Sequence, residues 1–211
     1  MNSLLSAFIL FIVFSFAHSC KQKHVLLAPV DYVNWVENPD EGLAVKKTLG
    51  TYTFELQYKP LEYVVLKDNA GKMISEKEMK QDKSEIEDMQ YFTFRISSEK
   101  EGDLLRDDAG SVDHFSSRLA YFSNGMQKDV KLIENKDTLS CLLFHFERTY
   151  GIDPRSTFVL GFPLGKKDGK GGLPATTDKI FLFDDHELST GPVYMTLSTD
   201  RMKQVPLLKL N

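Results

Sequence analysis

A chain of 211 residues with a formal net charge of −4 excludes an electrostatic grip on nucleic acid, because there is no basic excess to displace counterions from phosphates. Apolar residues at 42% and charged residues at 27% exclude a disordered chain and fit one folded body. The 15 Phe and 8 Tyr suit sheet-rich packing, where large rings cover pleated surfaces.

The chain begins with a near-continuous apolar run, Leu4 to Phe16. It is shorter than the roughly 20 residues that span a bilayer and has the length of a signal-peptide core. Met1-Asn2-Ser3 carries no Lys or Arg, and Ala17-His18-Ser19 then offers small residues at minus three and minus one before Cys20. The expected organisation is a signal peptide over 1–19, a tether over 20–30 and a single β-rich domain over 31–211.

A small-residue cleavage site with cysteine at plus one resembles the lipobox of bacterial lipoproteins, in the relaxed form found in Bacteroidota. Ala17 stands where that motif usually has Leu, and His18 is unusual in it. The resemblance covers about the first 20 residues and implies a diacylglyceryl group on Cys20, so that the membrane is a partner through that lipid. Two or more acyl chains hold a soluble domain essentially permanently. Lys21 in place of an Asp implies the outer membrane, and the acid-free Lys21-Gln22-Lys23-His24 implies a periplasm-facing domain. Ordinary signal peptidase can cut the same bond, which leaves a secreted chain as the alternative. Lipid on Cys20 would leave Cys141 without a partner, and its apolar setting, Leu139 to Phe144, predicts a buried structural thiol. A secreted chain would leave a Cys20–Cys141 disulfide open.

Further along, Tyr32 to Val36 is apolar enough to dock, and Asn38 to Gly42 reads as a turn. Thr51 to Tyr58 alternates strictly, with Tyr52, Phe54, Leu56 and Tyr58 against Thr51, Thr53, Glu55 and Gln57, and predicts a half-buried strand. For Leu61 to Leu66 the periodicity does not decide between strand and helix. Ser75-Glu76-Lys77-Glu78 is a capping-box pattern opening a solvated helix that runs to about Met89. Tyr91 to Ile96 reads as strand, and Val112 to Phe122 as a short amphipathic helix with Phe115, Leu119 and Phe122 on one face.

Thereafter strands dominate. Val130 to Glu134 and Leu139 to Arg148 flank a hairpin signal at Asn135-Lys136-Asp137; Ser156 to Phe162, Ile180 to Phe183 and Val193 to Leu197 follow. Strands arriving as adjacent hairpins make an antiparallel sheet, so the fold class expected is α+β, β-rich, with an antiparallel or sandwich-like body and two short helices.

The chemistry-bearing stretches are few. Gly165 to Gly172, with Lys166, Lys167, Asp168 and Lys170, is a Gly/Lys-rich segment after a strand. It lacks the spacing and the Ser or Thr of a phosphate-cradling loop, and is kept as a candidate binding loop. Asp184, Asp185, His186 and Glu187 form a candidate polar cluster, but a zinc-protease helix would need a second His where Thr190 stands. Cys141 and His145 share strand parity, yet four residues of strand separate them by about 13 Å, too far for proton transfer. No catalytic residue, metal site or cofactor is assigned. The function expected is a lipid-anchored envelope protein that binds an unknown envelope protein or glycan, or plays a structural role, without catalysis. An exported hydrolase acting on glycan or peptide is the alternative.

Overall fold

The computed structural model describes residues 25–41, 43–69, 72–100, 104–105, 112–148, 153–165 and 177–210. Along them run β1 (Leu26–Leu27), α1 (Pro29–Glu37), β2 (Ala44–Leu49), β3 (Tyr52–Lys59), α2 (Leu61–Asp68), α3 (Glu76–Ile86), β4 (Met89–Ser98) and α4 (Val112–Ser123). A 3-10 turn at Gly125–Asp129 leads into β5 (Val130–Glu134), β6 (Asp137–Ser140), β7 (Leu143–Glu147), β8 (Ser156–Pro163), β9 (Lys179–Asp184), β10 (Pro192–Leu197), α5 (Thr199–Met202) and β11 (Leu207–Leu208).

The α+β, β-rich class is the one found, with five helices among the described residues rather than two. A five-stranded sheet has the order β2-β3-β4-β8-β7 and a four-stranded sheet the order β10-β9-β5-β6, both antiparallel throughout. They face one another through rings. Phe94, at the middle of the central strand β4, lies 4.8 Å from Phe181 and 5.7 Å from Phe183 on β9, and stacks on Phe54 of β3 at 6.1 Å. Each such pair adds about 0.5–1.5 kcal/mol beyond the area it buries. One edge is laced where Lys47 Nζ donates to the Tyr194 carbonyl oxygen at 3.3 Å, from β2 to β10.

The other edge is a corner. The sequence predicts one strand over Leu139 to Arg148, but the chain breaks at Cys141–Leu142, so that β6 pairs with β5 in one sheet and β7 with β8 in the other. Strands that switch sheets make the corners of a sandwich. The kink is held by the Leu142 N–H donating to the Gly161 carbonyl oxygen at 2.9 Å and by the Cys141 thiol donating to the Leu143 carbonyl oxygen at 2.9 Å.

Local rules account for most elements. Gly50 takes φ +58°, the left-handed turn that lets Leu49 and Tyr52 pair directly between β2 and β3. Asn135 takes φ 55° in the β5–β6 hairpin that the sequence marked. At α3, Ser75 Oγ accepts from the Glu78 N–H at 3.3 Å while Glu78 Oε2 accepts from the Ser75 N–H at 2.9 Å, which completes the capping box. The helix ends at Ile86, earlier than expected, because Met89 already opens β4. It is not freely solvated either: Met79 is buried, Lys83 pairs with Glu62 of α2, and the Asn69 side chain donates to Asp82 Oδ2 at 3.0 Å.

Part of the stretch read as tether belongs to the fold. Leu26–Leu27 pairs in parallel with Leu207–Leu208, and Pro29 opens α1 at the position where a missing N–H costs nothing. A second apolar cluster forms there from Tyr32, Val36, Leu43 and Tyr63, with Leu27, Trp35, Tyr58 and Leu208 packed against it. It places α1 and α2 over part of the outer face of the five-stranded sheet. No helix among the described residues is long and apolar enough to cross a membrane. Cys20 and the candidate loop residues Lys166, Lys167, Asp168 and Lys170 lie outside the described residues.

Candidate functional site

The four residues Asp184, Asp185, His186 and Glu187 do not converge. Asp185 is buried and spends its carboxylate on its own turn: Oδ1 accepts from the Glu187 and Leu188 N–H groups at 2.9 and 2.8 Å, and Oδ2 from the Thr190 N–H and hydroxyl at 2.7 and 2.9 Å. That is an Asx-type turn organiser with its acceptor sites filled. His186 is exposed, with Nε2 3.8 Å from Asp184 Oδ2 and 3.9 Å from Asp129 Oδ1. Among the described residues no three His, Cys, Asp or Glu side chains are grouped to hold a metal ion.

Cys141 is a free, buried thiol, as its apolar setting suggested. Burial pushes it up to about 11, against weaker opposing help from the Gly161 backbone and Lys131, so the thiolate that would act as nucleophile is suppressed. His145, on β7 beyond the corner, points outward and is exposed.

Chemistry concentrates instead on the outer face of the five-stranded sheet. A cleft of about 380 Å³ is lined by Glu37, Pro39, Lys46, Glu55, Lys59, Tyr63, Arg95 and Arg155. The strand register builds it. Even-numbered residues of β3 point into the core, so Glu55, Gln57 and Lys59 point out, and pairing sets Lys46 of β2 and Arg95 of β4 on either side of Glu55. Arg95 Nη1 lies 2.7 Å from Glu55 Oε1 and Lys46 Nζ 3.2 Å from Glu55 Oε2, one cation to each oxygen. Helix α1 brings Glu37 to the rim and α2 brings Tyr63, whose hydroxyl donates to Glu37 Oε1 at 2.8 Å; Lys67 Nζ lies 3.0 Å from the same oxygen. Arg155 is held by Asp153 through two bonds, at 2.9 and 3.1 Å.

Lys59 is the centre of this arrangement. It retains 6% of its surface, donates to Gln57 Oε1 at 2.8 Å and stands 4.5 Å over the Tyr63 ring. Gln57 is fixed in turn by donating its amide to the Val36 carbonyl oxygen of α1. No carboxylate of the described residues lies in ion-pair contact with Lys59, in contrast to Lys46, Arg95 and Arg155. Burial, then the positive charge of Arg95, pull its ammonium down to about 8. Burial pushes the Glu37 carboxyl up, but the Tyr63 hydroxyl and Lys67 outweigh it and hold the group below its usual range. The lining therefore carries four basic side chains against two carboxylates, and the most buried of the four, Lys59, has neither carboxylate in ion-pair contact.

The sequence reading missed this cleft. Strict alternation in β3 marked Glu55 and Gln57 as the solvent face, and nothing local said that two helices would fold over it. Lys59 immediately before Pro60 was the available signal: a lysine of outward parity at a strand end, where the next element turns back.

No family model matches the chain, and no curated protein is similar to it in sequence. A solved structure of a novel protein of unknown function from Burkholderia pseudomallei aligns with 85% of this chain and 94% of its own, at 14% identity and a TM-score of 0.38.

Proposed function

We propose that the mature chain is a lipid-anchored envelope protein that works by binding, and that its ligand presents an anionic group, a carboxylate or a phosphate, to Lys59. The observation that carries this reading is the buried Lys59 ammonium, which faces the cleft with no carboxylate of the described residues in ion-pair contact, although Glu37 and Glu55 line the same cleft. A buried charge is tolerated when paired, and an incoming anion supplies the missing partner. The guanidinium of Arg95 and the amine of Lys46 stand beside it to extend the contact, and a charge-assisted hydrogen bond is about twice as strong as a neutral one. The anchor rests on the sequence around Cys20.

The alternative, a hydrolase using the two carboxylates of the cleft, has less support. A general acid needs a carboxyl whose proton is retained near neutrality. Glu37 is shifted the opposite way, and both oxygens of Glu55 are occupied by cations.

Titration calorimetry of the soluble body with citrate and with inorganic phosphate tests the binding reading. Saturable binding that is lost in Lys59→Met and weakened at least tenfold in Arg95→Met is the expected result. Equal binding by wild type and Lys59→Met would overturn it. Intact mass of protein extracted from membranes tests the anchor independently: acyl chains on Cys20 support it, and an unmodified Cys20 refutes it.

A further inference from the structure

We infer that the β1–β11 face is a membrane-docking surface, which seats the domain on the lipid bilayer rather than leaving it free at the end of a tether. The inference rests on the reading of Cys20 as the lipid anchor. Val25, Leu26, Val30 and Leu207 are exposed by 63%, 55%, 72% and 52%. They account for four of the nine large hydrophobic side chains exposed among the described residues, three of them at the β1–β11 pair and the fourth three residues further along the chain.

Their arrangement follows from pairing. In the parallel pair, Leu26 stands beside Leu207 and Leu27 beside Leu208. Alternation turns Leu27 and Leu208 inward onto the second apolar cluster and leaves Leu26 and Leu207 facing out together. The pairing is held by the Leu207 N–H donating to the Val25 carbonyl oxygen at 2.9 Å and the Lys209 N–H to the Leu27 carbonyl oxygen at 2.8 Å. Val30 is the second residue of α1, three residues after the strand. A two-residue strand pair that turns two leucines outward is a poor arrangement in water and a good one at an acyl–headgroup boundary.

Chain length identifies the occupant. Only Lys21 to His24 separate Cys20 from Val25, so even a fully extended chain keeps this face within about 18 Å of the acylated residue. Tethering at that distance makes contact with the bilayer effectively intramolecular, and a small apolar patch then suffices. The exposed Lys209 adjoins the leucines of β11 and suits a lipid phosphate, and Lys21 and Lys23 precede Val25 in the sequence. Helix α1 runs from Val30 in this face to Glu37 in the cleft, a distance of about 10 Å along its axis at 1.5 Å per residue. Docking therefore also holds the cleft close to the membrane surface.

The test uses the acylated protein extracted from membranes, with acylation verified by intact mass, reconstituted into phosphatidylcholine–phosphatidylethanolamine vesicles. An environment-sensitive fluorophore is placed at Leu207→Cys and, as control, at Lys136→Cys in the β5–β6 turn. The label at 207 should be several-fold less accessible to aqueous iodide than the label at 136, and should be quenched by nitroxide-bearing lipids. Adding Leu26→Ser and Val30→Ser should abolish that protection with no change in thermal melting, which separates docking from insertion by the dye itself. Equal accessibility at 207 and 136 in acylated protein would overturn the docking while leaving the anchor intact. An unmodified Cys20 would remove the anchor and the docking with it. A dimer of the Cys20→Ala body that dissociates on Leu26→Ser and Leu207→Ser would assign the face to a second copy and overturn the docking.

Discussion

The Lys59 ammonium stands 4.5 Å over the ring of Tyr63, and the Tyr63 hydroxyl donates to Glu37 at 2.8 Å, so one aromatic side chain separates the deepest cation of the cleft from the carboxylate at its rim. The pair sets opposite pH dependences. Burial and then Arg95 depress Lys59 from 10.5 to about 8. Below about pH 8 folded and unfolded chains both hold its proton; between there and 10.5 only the unfolded chain does, so stability rises with pH across that window. Tyr58, raised to about 12 by burial and then by Glu62, and Tyr63, raised by burial and then by Glu37, contribute stability that is complete below pH 10 and is lost as pH climbs above it. Burial lowers Lys179 to about 8 as well, so denaturant melts should show stability increasing from pH 8 to about 10, with each of the two lysines contributing on the order of 2 kcal/mol, and declining beyond. Lys59→Met should remove its share of the rise, leaving that of Lys179, and keep the decline; a Lys59→Met profile identical to wild type would refute the assignment.

A second buried pair lies between the sheets. Glu134 closes β5 and Lys179 opens β9, directly opposite in register; the two side chains are in contact with almost no exposure, and Gln90 donates to the second Glu134 oxygen at 2.9 Å. Removing one partner strands a charge. Glu134→Met and Lys179→Met should each cost about 3–5 kcal/mol, whereas the two substitutions together should cost less than either alone. Urea unfolding of the four proteins measures this, and additive losses would show that the pair is not coupled.

Much of the framework could be read from alternation. Val130, Leu132 and Glu134 share an inward face, as do Lys179, Phe181 and Phe183, so even this buried pair was written in the parity of β5 and β9. Helix α3 was legible because its capping box is local. The cleft was not, because it depends on what covers a strand rather than on the strand. Glu55, Gln57 and Lys59 look solvated until α1 and α2 fold above them. α1 starts without a capping side chain, and Leu61 to Leu66 carries no decisive period. Arg95 meets Glu55 only after the chain has passed through two helices, so no turn length announces the pairing.

Cys141 and His145 show how a corner defeats parity. On one continuous strand they would share a face. The switch of sheets at Cys141–Leu142 sends the thiol inward, while β7 directs Phe144 and Phe146 to the core and His145 to solvent. With its thiol pushed up to about 11 by burial, Cys141 should resist a disulfide reagent at pH 8 in the native state and react at once when denatured. Replacing His145 with Ala should leave that native rate unchanged. Rapid native labelling, or a rate that depends on His145, would contradict the burial.

The corner also constrains Gly161 on β8. A methyl group there would lie 2.6 Å from Met89 Cε and 2.9 Å from Leu143 Cβ. The methionine end can swing aside, but Leu143 Cβ is fixed to the backbone of β7, so the strand itself must retreat. That movement also strains the bond from the Leu142 N–H to the Gly161 carbonyl oxygen, which holds the sheet switch. Gly161→Ala should therefore destabilise by about 1–3 kcal/mol, the usual range for overpacking, although alanine normally favours a strand over glycine. Leu143→Gly removes the obstructing carbon. In urea melts the double variant Gly161→Ala with Leu143→Gly should lose less than the two single losses combined. Strict additivity would mean that the contact between β8 and β7 is not what excludes a side chain at 161.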